Sequence, residues 1–121
     1  MFAYLEEVDG SGNSTYITEG ALRASHRVLA PAPYDNLGLP YRNHFQSELK
    51  PLPAGEPVEL VFDLLPTAYQ FGPGKQIRIT VAFADADNFD TPVLSPAPEL
   101  RLLRSGEQAS YVELPIVGVE Q

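Results

Sequence analysis

His26 and His44 are the two imidazoles of the 121-residue chain, and it contains no cysteine. Thiolate nucleophiles, disulfides and Cys-ligated zinc are thereby excluded. Serine hydrolysis needs a nucleophile on a sharp elbow, a His base and an acid. No Gly-x-Ser-x-Gly occurs. Ser11 stands in Asp9-Gly10-Ser11-Gly12-Asn13, which is turn composition. Ser25 and His26 are sequence neighbours, and neighbours on a strand point to opposite faces, so they do not read as nucleophile and base. His26 reads instead as a core histidine bonded to a backbone or side-chain partner, as buried polar groups usually are. His44 lies among prolines and reads as a solvated loop residue; a transition metal there needs carboxylates from elsewhere. No catalytic, cofactor-binding or metal-ligating residue is assigned, and no cofactor is expected.

The carboxylates suggest chemistry at two loops. In Asp85-Ala-Asp87-Asn88-Phe89-Asp90, an EF-hand would need an oxygen ligand at position 5, Gly at 6 and Glu at 12, where the chain has Phe89, Asp90 and Pro96. Asp9, Ser11 and Asn13 suit positions 1, 3 and 5, but Ser14 and Gly20 occupy 6 and 12. A calcium site outside the EF-hand pattern stands beside the reading in which these side chains cap backbone groups. Glu6 and Glu7 are adjacent, face opposite ways in a strand and read as a solvated edge rather than a glycosidase pair. Tyr4, Tyr16, Tyr34, Tyr41, Tyr69 and Tyr111 could stack on sugars, but nothing groups them on one face. In a sandwich most tyrosines are core with a polar tip outward.

The elements that must carry these residues follow from composition and period. Eight basic and sixteen acidic residues leave a net charge of −8 and a pI near 4.5. This argues against a broad phosphate-binding surface, which needs clustered Lys and Arg, so no nucleic acid is expected, and it repels anionic lipid. No apolar run approaches the ~20 residues of a membrane span. Glu6, Glu7 and Asp9 follow Met1 without a basic region, so no signal peptide is visible and a cytoplasmic location is favoured. With 44% hydrophobic residues, the chain suits one globular domain, residues 1–121.

Twelve Pro and nine Gly cut the sequence into short pieces that read as strands. Residues 21–28 alternate, with Leu22, Ala24, His26 and Val28 on one face. Val58, Leu60, Phe62 and Leu64 share a face, as do Ile77, Ile79, Val81 and Phe83. Residues 2–8 and 15–18 flank Asp9 to Asn13 as a hairpin, and residues 100–104 and 111–117 flank Ser105-Gly106-Glu107-Gln108 as another. No capped helix and no repeat is visible. With residues 15–28 counted as one run, some six strands predict an all-β sandwich or barrel.

Residues 30–57 break that plan with six prolines, Pro31, Pro33, Pro40, Pro51, Pro53 and Pro57. Tyr34, Leu37, Leu39, Tyr41 and Phe45 make the stretch too apolar for a free tail. It reads as an ordered excursion, packed on a partner or crossing over its own sandwich, with a short helix near residues 45–49. Six strands also fall short of the seven or eight of a full sandwich, so the fold looks as if it lacks opening strands.

Several motifs then agree in order. Residues 4–27 hold Val8-Asp9-Gly10-Ser11-Gly12 and then Gly20, Leu22, Arg23, Ala24, Ser25, His26 and Arg27. Residues 59–67, 71–80 and 85–92 add a strand with Asp63-Leu64-Leu65-Pro66-Thr67, Pro73-Gly74 ahead of Ile77-Arg78, and Asn88-Phe89-Asp90-Thr91-Pro92. This series resembles the C-terminal, non-catalytic domain of the X-Pro dipeptidyl-peptidase and cocaine esterase hydrolases. The resemblance implies a jelly-roll β-sandwich, similar to galactose-binding domains, beside an α/β-hydrolase domain that carries the catalytic triad; no triad position maps onto this chain. It further implies earlier strands upstream, hence an excised fragment, a split gene product or a domain completed by a partner strand, with an open sheet edge that invites a homodimer. The expected role is an accessory domain serving a hydrolase in cis or trans. The alternative is a free-standing carbohydrate- or ligand-binding module.

Overall fold

The structure is a computed structural model that describes residues 1–91 and 93–117. Three strands form, β1 (Phe2–Val8), β2 (Ser14–Ala21) and β3 (Gln76–Ala82), with two single 3-10 turns, Ala24–His26 and Gln46–Glu48. The described chain is all-β, and no helix in it is long and apolar enough to cross a membrane. It divides into two parts, Met1–Thr91 and Pro92–Gln121.

In the first part the strands make one antiparallel sheet in the order β2-β1-β3. The β1–β2 hairpin follows from its turn. Asp9 accepts the backbone N–H groups of Ser11 and Asn13, each at 2.9 Å, and Gly12 takes a positive φ of 85°. Asp favours such turns because its side chain replaces a backbone acceptor, and Gly because it has no Cβ to clash. β1 is central, so both its edges are paired. Ala3, Leu5 and Glu7 are buried on one face, while Phe2, Tyr4, Glu6 and Val8 are half-buried on the other. A bulge between Leu5 and Glu6 pairs Leu5 with Thr18 and Glu6 with Tyr16, leaving Ile17 over. That extra residue keeps Ser14 on the face of Glu6.

Two expected strands are not ladders. Residues 58–64 keep the alternation, Val58, Leu60, Phe62 and Leu64 being more covered than their neighbours. They run along the outer edge of β2, where Leu65 N–H reaches Glu19 O at 2.8 Å and Thr18 Oγ1 donates to Leu65 O at 2.7 Å. The approach is so close that a Cβ on Gly20 would stand 2.2 Å from the Asp63 carbonyl oxygen. Residues 21–28 differ more. The strand ends at Ala21, where β1 runs out of partners beyond the Leu22 N–H to Met1 O bond at 2.9 Å. The chain then turns, His26 N–H bonding Arg23 O at 2.8 Å. With no β-branched residue from 22 to 27, nothing holds the segment extended once its ladder is lost.

Residues 30–57 are ordered by their own chain. Arg27 donates from Nη1 and Nη2 to the carbonyls of Lys50 and Pro51, Lys50 N–H returns to Ser25 O at 2.9 Å, and Arg42 donates to Val61 O. The short helix expected near 45–49 is the 3-10 turn Gln46–Glu48. In the second part the hairpin turn at 105–108 forms, with Gly106 at φ 79° and Ser110 N–H on Leu103 O at 2.8 Å, but its arms make no ladder among the described residues. One sheet is therefore laid out, and the strand order of a jelly roll is not.

Candidate functional site

The sheet separates Glu6 from Glu7. On one face Glu6 faces Arg78 across the β1–β3 ladder and takes its Nε–H at 2.9 Å. Thr80, one diagonal step away, donates to the same carboxylate, and so does Ser14 at 2.7 Å. Hydrogen bonds from Arg78, Thr80 and Ser14 hold the Glu6 carboxyl down at about 2. On the other face Glu7 is buried and accepts Gly72 N–H at 2.9 Å. Burial and then the Glu7 charge raise the nearby Tyr69 phenol. The solvated edge read from the sequence is thus corrected: β1 is the middle strand, and both carboxylates are held by donors. A pair on opposite faces of a sheet cannot flank one glycosidic bond.

The two aspartate loops cap backbone. Asp9 also takes Asn13 Nδ2 at 3.0 Å, and hydrogen bonds from Asn13 lower its carboxyl. Asp85 accepts Asn88 N–H at 3.3 Å, Asn88 Nδ2 at 3.1 Å and the Tyr4 hydroxyl at 3.0 Å. Burial first, then Asp85, pushes the Tyr4 phenol up to about 12. Among the described residues no three His, Cys, Asp or Glu side chains converge as a metal-holding group.

The structure brings the two histidines together. His26, on its 3-10 turn, is half-exposed rather than in a sheet core, and its ring lies 5.4 Å from that of His44. His44 holds a positive φ of 59°, an uncommon conformation for a side chain larger than Gly. Val28, Arg42 and Glu48 complete the corner, with Asn43 Nδ2 bonding Glu48 Oε1 at 3.0 Å. A shallow groove of about 380 Å³ adjoins it, lined by Leu22, Pro40, Tyr41, Arg42, Phe62 and Asp63. No serine in it faces a histidine base. Ser25 gives its carbonyl to Lys50.

Aromatic pairs offer edges rather than a flat platform: Tyr34 meets Tyr41 at 85° and Tyr69 meets Phe71 at 76°. The roles of Arg27 and Arg42 escaped the reading of motifs. For Arg27 the signal was there, because the proline-rich stretch supplies carbonyls without N–H groups and leaves acceptors for a guanidinium donor; nothing in the sequence marked the Val61 carbonyl as the acceptor for Arg42.

What the molecule presents most is uncovered apolar surface. On β3, Ile77 is 50% and Ile79 36% exposed, and the outer edge of β3 has no partner among the described residues. Tyr34, Leu37, Leu39, Phe45, Leu49 and Leu52 add to this from the proline-rich excursion.

Comparison with known proteins sets this surface beside longer relatives. The chain is 48% identical to a protein named "Putative serine esterase" in Mycobacterium bovis, and equally so to one of the same name in Mycobacterium tuberculosis. Each match covers 97% of this chain but 19% of the relative, so the chain spans about a fifth of the length of the curated relatives it matches. No solved structure matches it. Residues 1–113 match the family model of the X-Pro dipeptidyl-peptidase C-terminal non-catalytic domain, and the chain belongs to that family.

Proposed function

We propose that residues 1–121 act as one accessory β-domain of a serine hydrolase of the α/β-hydrolase type, with no turnover of their own. The domain packs against the catalytic domain, shapes the mouth of its active site and braces the assembly. The hydrolase acts on X-Pro peptides or on esters. The observation that carries this reading is the set of large apolar side chains left open in the first part, among them Ile77 and Ile79 on β3 and Tyr34, Leu37, Leu39 and Phe45 on the excursion. The placement of the serines and histidines supports it, because none forms a nucleophile and base.

Isolation of the natural polypeptide that contains these residues tests the reading. It should be several times longer than 121 residues and should hydrolyse nitrophenyl esters or X-Pro anilides, while the 121-residue chain alone leaves both untouched. Turnover by the chain alone, or a natural polypeptide with no hydrolase segment, refutes it.

A further inference from the structure

From the geometry of residues 34–41 we infer that Leu37 is an anchor that inserts into an apolar pocket of the catalytic domain. The inference rests on the reading above and goes beyond it by naming the contact.

The turn is built to hold one side chain out. Leu37 and Gly38 both have positive φ, 58° and 77°, and Leu39 N–H bonds Asn36 O at 3.1 Å. This is the pattern of a tight turn with two left-handed central residues, which favours Asn or Asp followed by Gly and disfavours a bulky side chain. The strain is locked in rather than relaxed. Leu37 N–H donates to Asp35 Oδ1 at 3.0 Å, and Asn36 Nδ2 donates to Leu39 O. At the base of the turn Ala30 N–H bonds Tyr41 O at 2.9 Å, and Tyr34 stands edge-on to Tyr41 with ring centres 5.8 Å apart.

Leu37 nevertheless gains nothing from its own chain, being 86% exposed. A strained backbone that presents an apolar side chain to water carries two unfavourable terms at one residue. Such strain persists where the presented group has a use. The surroundings suit the core of an interface. Asp35 is the single charged side chain from residue 30 through 41, in a chain where 20% are charged. Two tyrosines flank the tip, and Tyr34 is 62% exposed. Interface cores are depleted in charge and enriched in aromatics, with anchors seated in pockets. The occupant is the remainder of the hydrolase polypeptide, because relatives 48% identical over 97% of this chain carry it within proteins about five times as long.

Two measurements on the natural polypeptide and the 121-residue chain test this. In hydroxyl-radical footprinting, labelling of Leu37 and Tyr34 should fall at least five-fold in the natural polypeptide. Leu37→Asn puts Asn before Gly38, the pair this turn prefers. It should raise the unfolding midpoint of the 121-residue chain and lower that of the natural polypeptide. A side chain with only a local role moves both midpoints the same way. Equal labelling in the two proteins, or a midpoint raised in both, overturns the anchor while leaving the accessory-domain reading intact. A natural polypeptide without a hydrolase segment overturns that reading first, and the anchor with it.

Discussion

Glu6 shows how one residue can serve a fold rather than a reaction. Its carboxylate gathers Arg78, Thr80 and Ser14 from the two strands on either side of β1. The folded value near 2 lies below the ordinary 4.5, so the contribution is whole above about pH 4.5 and is lost as the pH falls toward 2. Asp9 and Asp85, also lowered by their Asn partners, act in the same direction. Stability should therefore decline on the acid side. In Glu6→Gln, proton uptake on unfolding between pH 5 and 3 should drop by about one. Urea titrations at a series of pH values measure this, and an unchanged acid limb would remove Glu6 from the account.

At the scale of elements, the seam between β2 and residues 61–65 decides how the long excursion is tied down. It consists of few contacts: Thr18 Oγ1 on Leu65 O, Leu65 N–H on Glu19 O, and the bare Cα of Gly20 under Asp63. Thr18→Val keeps the shape and leaves the Leu65 carbonyl without its donor, which should cost about 1–2 kcal/mol in denaturant unfolding. Arg27→Ala acts at the other end of the excursion, where the guanidinium holds the carbonyls of Ala24, Lys50 and Pro51. Proteinase K should then cut first between residues 45 and 57, with the sheet intact. Cleavage that begins in β1 or β2 instead would mean that the arginine supports the sheet itself.

For the whole molecule the deciding quantity is surface. A three-stranded sheet buries little, and its large apolar side chains remain open: Ile77 and Ile79 on β3, Leu37 on the excursion, and Tyr111 and Ile116 in the second part. Large apolar side chains left open in such numbers mark interaction surfaces. The 121-residue chain should bind a hydrophobic dye such as ANS strongly under native conditions, and the natural polypeptide should bind it several-fold less per molecule. Equal dye binding would count against the proposed coverage by a hydrolase domain.

The all-β class, the β1–β2 hairpin, strand β3 and the turns at Asp9 and Gly106 were legible in the residues, because period-two alternation and turn chemistry are local properties. The family motifs from Val8 to Pro92 were legible too, being runs of sequence. Only the tertiary structure decided that residues 22–27 turn away from the sheet, that residues 58–64 lie beside β2 without a ladder, and that Glu7 is buried. It also decided that His26 and His44, eighteen positions apart, share one corner. The reason is common to all four. Alternation says which side of a strand is apolar, but a ladder or a contact needs a partner distant in sequence, and which partner arrives depends on how the intervening chain closes.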